Sequence, residues 1–149
     1  MLISQKCQYA LRGVFELARR WGQGPVKIAD IADAQAIPPR FLEAILSQLK
    51  QAGFIESRRG SDGGYALARS PASLSVGDVI QFIQGPVGPV ECVSRRTRRA
   101  CPLYGNCVFL SMWEEAKQAL AGVYDHTTFQ DLLDRENRMH ETYAPTYTI

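Results

Sequence analysis

The run Arg58-Arg59-Gly60-Ser61-Asp62-Gly63-Gly64-Tyr65 constrains this chain more than any other segment. It joins two short stretches, Phe54 to Arg58 and Tyr65 to Ala68. The first alternates apolar and polar residues, and the glycines between the two permit a tight reversal, so the spacing predicts a β-hairpin. Three helical patterns precede it. Ser4 is suited to cap a helix whose apolar stripe is Ala10, Leu11, Val14, Phe15, Leu17, Ala18 and Trp21, ended by Gly22, Gly24 and Pro25. A short helix with Ile28, Ile31 and Ala32 inward follows, then a turn over Gln35–Pro39. The third helix opens on Pro38 and Pro39, tolerated in a first turn, buries Phe41, Leu42, Ile45, Leu46 and Leu49, and stops at Gly53. Three helices and then a hairpin is the order of a winged helix-turn-helix. Residues 1–70 are therefore read as a DNA-binding domain, and the fold class as mainly α with a small β-hairpin wing and a long dimerisation helix.

The third helix has an outward face of Arg40, Glu43, Ala44, Ser47, Gln48, Lys50 and Gln51. Such a helix fits a major groove about 12 Å wide, its N-terminal residues nearest the base edges. Arg40 is suited to donate to guanine and Glu43 to accept from cytosine, with Lys50 and Gln51 on phosphates. Arg58 and Arg59 ride on the hairpin, where an arginine can enter a narrow minor groove, and Gly60, Gly63 and Gly64 allow close backbone approach. The competing reading is a solvated helix face and an ordinary surface hairpin. A net charge of only +2 does not decide between them, so the argument rests on where the cations sit.

Residues 71–107 form a linker. Ser75-Val-Gly-Asp78 opens a short helix through Ile83, which Gly85-Pro-Val-Gly-Pro89 breaks. A loop follows with Cys92, Cys101 and Cys107, three cysteines in 16 residues, and with Arg95-Arg-Thr-Arg-Arg99 between the first two. In a reduced protein this suggests a metal or cluster site, although zinc ribbons prefer closer pairs. Thiolates favour soft metals and iron–sulfur clusters, and the arginines would lower thiol pKa values and offset thiolate charge. A reactive or incidental cysteine set beside a solvated basic run remains open. In residues 108–149, Val108, Phe109, Met112, Trp113, Ala116, Ala119, Leu120 and Val123 make an apolar stripe. A second copy of the helix would cover it and give a two-fold dimer; the competing reading is packing within the chain against the DNA-binding domain. Thr128 with Asp131 caps a short last helix carrying Phe129, Leu132 and Leu133, and a loose tail is expected from Glu141.

A chain of 149 residues with 46% hydrophobic and 21% charged side chains makes one domain, or one small domain with an appendage. No basic start with an apolar run suggests a secretory signal, and no stretch approaches the roughly 18 apolar residues of a membrane helix, so a cytoplasmic protein without structural disulfides is expected. The absence of a Cys-x-x-Cys pair, a catalytic triad pattern and a phosphate loop argues against an enzyme.

Several motifs resemble one family of regulators. Ile3-Ser-Gln-Lys-Cys-Gln-Tyr-Ala-Leu-Arg12, Ile28-Ala-Asp-Ile-Ala32, Ile37-Pro-Pro-Arg-Phe-Leu-Glu43 and the wing Arg59–Tyr65 are similar to the winged-helix family that includes IscR, NsrR, RirA and CymR. Ser75-Val-Gly-Asp-Val-Ile80, Cys101-Pro-Leu-Tyr-Gly-Asn-Cys107 and Trp113 extend the likeness over residues 1 to about 135. The resemblance implies a homodimer on a palindromic operator in double-stranded DNA, a recognition helix over Pro39–Gln51 and a minor-groove contact from Arg59. It further implies that Cys92, Cys101 and Cys107 ligate a [2Fe–2S] or [4Fe–4S] cluster whose state sets DNA affinity. The fourth ligand departs from the pattern. Leu110 stands where IscR-like members have histidine, and Gln8 where NsrR-like members have aspartate. Cys7, beside Gln8 and near a helix N-terminus, is expected to have a lowered pKa and to complete the site from the second subunit, unless it is a small buried helix residue. The alternatives are a cluster-free regulator of the same fold answering to a metabolite or protein partner, and an adaptor whose helix-turn-helix binds protein.

Overall fold

The computed structural model describes residues 2–94 and 100–143. Helices α1 (Gln5–Arg19), α2 (Ile28–Gln35) and α3 (Pro39–Gln51) lead into strands β1 (Ile55–Arg58) and β2 (Gly64–Leu67). Helices α4 (Val76–Ile83), α5 (Glu91–Ser94), α6 (Leu110–Asp125) and α7 (Phe129–Tyr143) follow. Ser4 caps α1, its Oγ accepting from the Cys7 N–H at 3.1 Å. Leu42, Ile45, Leu46 and Leu49 of α3 are buried against α1 and α2. Two residues leave the predicted stripes. Helix α1 ends at Arg19, so Trp21 falls in the following turn and is 47% exposed. Phe41 precedes the fully buried Leu42, which rotates it about 100° off the core-facing line, and it is 46% exposed.

Between α2 and α3 the chain turns on Ala36, whose φ of 50° and ψ of 49° put a non-glycine residue in the left-handed region. The hairpin pairs Ile55 with Leu67 and Arg58 with Gly64 in antiparallel register. Val26, ahead of α2, adds a rung that periodicity did not reveal. Its N–H donates to the Tyr65 carbonyl at 2.7 Å, and the Tyr65 N–H donates back at 2.8 Å. Gly64 has a φ of +150°, and a Cβ there would collide with the Val26 carbonyl.

The C-terminal helix returns to the first. A capping box between Ser75 and Asp78 opens α4, and Thr128 and Asp131 exchange the equivalent bonds at α7. Val76 N–H donates to the Thr127 carbonyl at 2.8 Å, and Phe129 N–H to the Leu74 carbonyl at 3.0 Å. Phe129 is fully buried in the same core as Leu17, Leu42 and Leu46, and α7 packs along α1. With 15 residues, α7 is as long as α1 and reaches Tyr143, where a short helix and a tail from Glu141 were expected; residues 144–149 lie outside the described residues. No helix among the described residues is long and apolar enough to cross a membrane.

Candidate nucleic-acid interface and thiol cleft

Helix α3 turns Arg40, Glu43, Ala44, Ser47, Lys50 and Gln51 to solvent, while Gln48 is half-buried. Arg58, Arg59 and Gly60 are exposed on the hairpin. Lys50 Nζ donates to Ser57 Oγ at 2.6 Å, so the helix and the wing are joined along one edge. The other edge of α3 meets α1 through a stack of side chains. The Arg40 guanidinium lies 4.7 Å over the Phe41 ring, that ring stacks on Tyr9 with centroids 6.4 Å apart, and Arg12 lies 5.0 Å over Tyr9. Arg12 Nε is buried with no hydrogen-bond partner among the described residues, so the ring is its neighbour in place of an acceptor.

One buried charge was missed from the sequence. Glu16 is 2% exposed, yet carries a carboxylate. Burial alone would raise its pKa, but hydrogen bonds from Gln35, Arg20 and Arg19 outweigh that and hold it below the usual carboxylate range. The distances are 2.9 Å to Gln35 Nε2, 2.9 Å to Arg20 Nε and 3.1 Å to Arg19 Nη1. Arg19 also pairs with Glu136 of α7 at 3.3 Å, so α1, α2 and α7 share one ionic junction. Arginines three and four residues after Glu16 were the available signal; Gln35 lies 19 positions away and gave none.

Cys92, Cys101 and Cys107 line one cleft of about 330 Å3 with Leu103, Tyr104 and Leu110. All three cysteines are half-buried, and Cys92 sits on the one-turn helix α5, not in a loop as expected. Leu110 stands beside the thiols and offers no donor. Among the described residues no group of three His, Cys, Asp or Glu side chains is gathered to hold a metal ion. Arg95–Arg99 lie outside the described residues. The donor chemistry of the cleft suits a thiolate-bound cluster, three soft ligands beside apolar walls, once the sulfurs draw together. Cys7 does not line this cleft within its own chain. Its side chain has no exposed surface, and desolvation raises its pKa where a lowered one was expected. It packs with Ala10 and Val14 in the core, so the reading as a small buried helix residue is the one the structure favours.

The apolar stripe beside the cleft is only partly covered. Helix α6 packs on α4 and α5, with Lys117, Ala121 and Tyr124 toward α4. No residue of α6 is buried, and Val108, Phe109, Met112 and Val123 are 83%, 56%, 47% and 63% exposed.

The sequence profile of Rrf2, described as an iron-dependent transcriptional regulator, matches residues 3–135. The chain belongs to the Rrf2 family. CymR of Bacillus subtilis is 33% identical over 143 residues, spanning 96% of this chain and 97% of that protein. IscR of Citrobacter koseri is 30% identical over 154 residues, spanning 99% and 93%. The solved structure of B. subtilis CymR, the global cysteine regulator, superposes with a TM-score of 0.77 and 31% identity over 91% of this chain and 98% of its own. T. potens IscR gives a TM-score of 0.75 at 32% identity, over 91% and 88%. This Rrf2 chain therefore has the winged-helix fold of a DNA-binding transcriptional regulator, in a family of regulators and not of enzymes.

Proposed function

We propose that this Rrf2 protein is a homodimeric repressor of a palindromic operator whose affinity is set by an iron–sulfur cluster on Cys92, Cys101 and Cys107. One observation carries the reading: the three thiols share a cleft at the start of α6, the helix whose exposed Phe109, Met112 and Val123 form the seam for a second copy. Two copies joined there would present two α3 helices and two wings to successive turns of a duplex. Arg40, Glu43, Ala44, Ser47 and Gln48 would meet base edges, Lys50 and Arg58 phosphates, and Arg59 with Gly60 the minor groove. Bound to the three thiols, the cluster supplies a redox-sensitive and iron-dependent charge beside the dimer helix. Leu110 offers the cleft no fourth ligand, and Cys7 of the same chain is buried in the core.

Protein purified without oxygen should carry iron and acid-labile sulfide with a visible absorption band, and its operator affinity should change on chelation of the iron. Cys101→Ala should abolish the band and the response together. Arg59→Ala should weaken binding and discrimination at the minor-groove positions of selected sites. A preparation free of iron and sulfide that still responds to a small thiol or a protein partner would establish the second reading, a cluster-free regulator. That second reading is supported by the 33% identity to CymR over 96% of this chain.

A further inference from the structure

Phe41 is the large apolar side chain that α3 leaves in solvent. The buried line of the helix is Leu42, Ile45, Leu46 and Leu49, and the outward line runs through Arg40, Ala44 and Ser47. Phe41 flanks that outward line on the α1 side, opposite the Lys50–Ser57 bond that marks the wing side. Its ring is held from two directions, by Tyr9 at 6.4 Å and by the Arg40 guanidinium at 4.7 Å. A groove of about 380 Å3 opens here between Tyr9, Phe41, Ala44 and Ile45, with Lys6 and Arg40 along it and no acidic residue among its walls. The groove is thus apolar inside and cationic at its rim.

One nucleic-acid feature matches that pairing. The C5-methyl of thymine projects into the major groove and is the apolar group a side chain can meet there, and a phosphate lies beyond it on the same nucleotide chain. We propose that Phe41 is a specificity-determining residue that receives a thymine methyl, with Lys6 on the adjoining phosphate and Arg40 fixed over the same ring to read the neighbouring base. The stack from Arg12 through Tyr9 to Phe41 fixes the ring before DNA arrives, so little side-chain freedom is lost on contact. The contact rests on α3 being the reading helix, as argued above.

The test removes one methyl group at a time. A duplex selected by the wild-type protein from a randomised pool is remade with deoxyuridine in place of each thymidine in turn, and binding is measured by fluorescence anisotropy. One thymine in each half-site should show about a fourfold loss on methyl removal, the value expected for one buried methyl. Phe41→Ala should bind the thymine duplex more weakly and bind both duplexes alike, whereas Phe41→Tyr should keep the preference. Lys6→Ala should weaken both duplexes equally. Thermal unfolding checks that each variant is folded, which the 46% exposure of Phe41 favours. A wild type indifferent to every replacement, or a Phe41→Ala protein with an undiminished preference, overturns the thymine contact while leaving operator binding intact. Failure of the wild type to select any duplex overturns the DNA-reading role of α3 and this contact with it.

Discussion

At the scale of single residues, Glu16 and Ala36 both run against local rule. Glu16 sits on the buried side of α1, and its carboxylate is stabilised by three donors that more than offset burial. Because its folded pKa lies below the ordinary value of 4.5, its contribution is complete above that pH and is lost as pH falls through the lower folded value. Glu16→Gln should cost about 1–3 kcal/mol near neutral pH and flatten the acid limb of a stability-against-pH curve. Chemical denaturation at several pH values reads both effects. Ala36 pays for its left-handed backbone with steric strain between Cβ and the chain. Ala36→Gly should raise stability by about 1 kcal/mol without altering DNA binding, a gain visible as a higher Tm. Cys7 was legible in part, since it falls three residues before Ala10 and seven before Val14 on one helical face, which is core spacing. Phe41 was not, because periodicity separates inside from outside but cannot locate the edge.

At the scale of elements, caps and stripes carried over well because they are local. Ser4, Ser75 and Thr128 begin helices as their chemistry dictates. The misses came from contacts distant in sequence. The Val26–Tyr65 rung joins residues that no pattern connects, and Gln35 reaches Glu16 across a helix pair. The wing depends on that rung. Gly64→Ala would force a Cβ into the Val26 carbonyl at a φ of +150°, so it should destabilise by about 2 kcal/mol and weaken DNA binding further by moving Arg58 and Arg59. Loss of Tm without any loss of affinity would argue that the wing does not touch the duplex. The cysteine cleft was legible as composition but not as geometry, because its walls include Leu103, Tyr104 and Leu110, which carry no pattern of their own.

At the scale of the molecule, the exposed edge of α6 is the seam of the proposed dimer. Met112→Asp would place a charge on the seam beside Phe109 while leaving the α4-facing side untouched. It should turn the dimer into monomers by sedimentation velocity and lower operator affinity by at least tenfold, since each monomer would hold one half-site. An unchanged sedimentation coefficient would shift the interface elsewhere.

Helix α6 is also engaged at both of its ends. Leu110 lines the thiol cleft, and at the far end the 74–76 and 127–129 segments are stitched by paired backbone bonds that seat Phe129 among the side chains behind α3. A rod of 16 residues is about 24 Å long, so a five-degree tilt pivoted at one end sweeps the other through about 2 Å. On the proposed reading the molecule would work like a crowbar: a small rearrangement of sulfur at one tip would become, at the other, a displacement large enough to change how the two α3 helices are spaced.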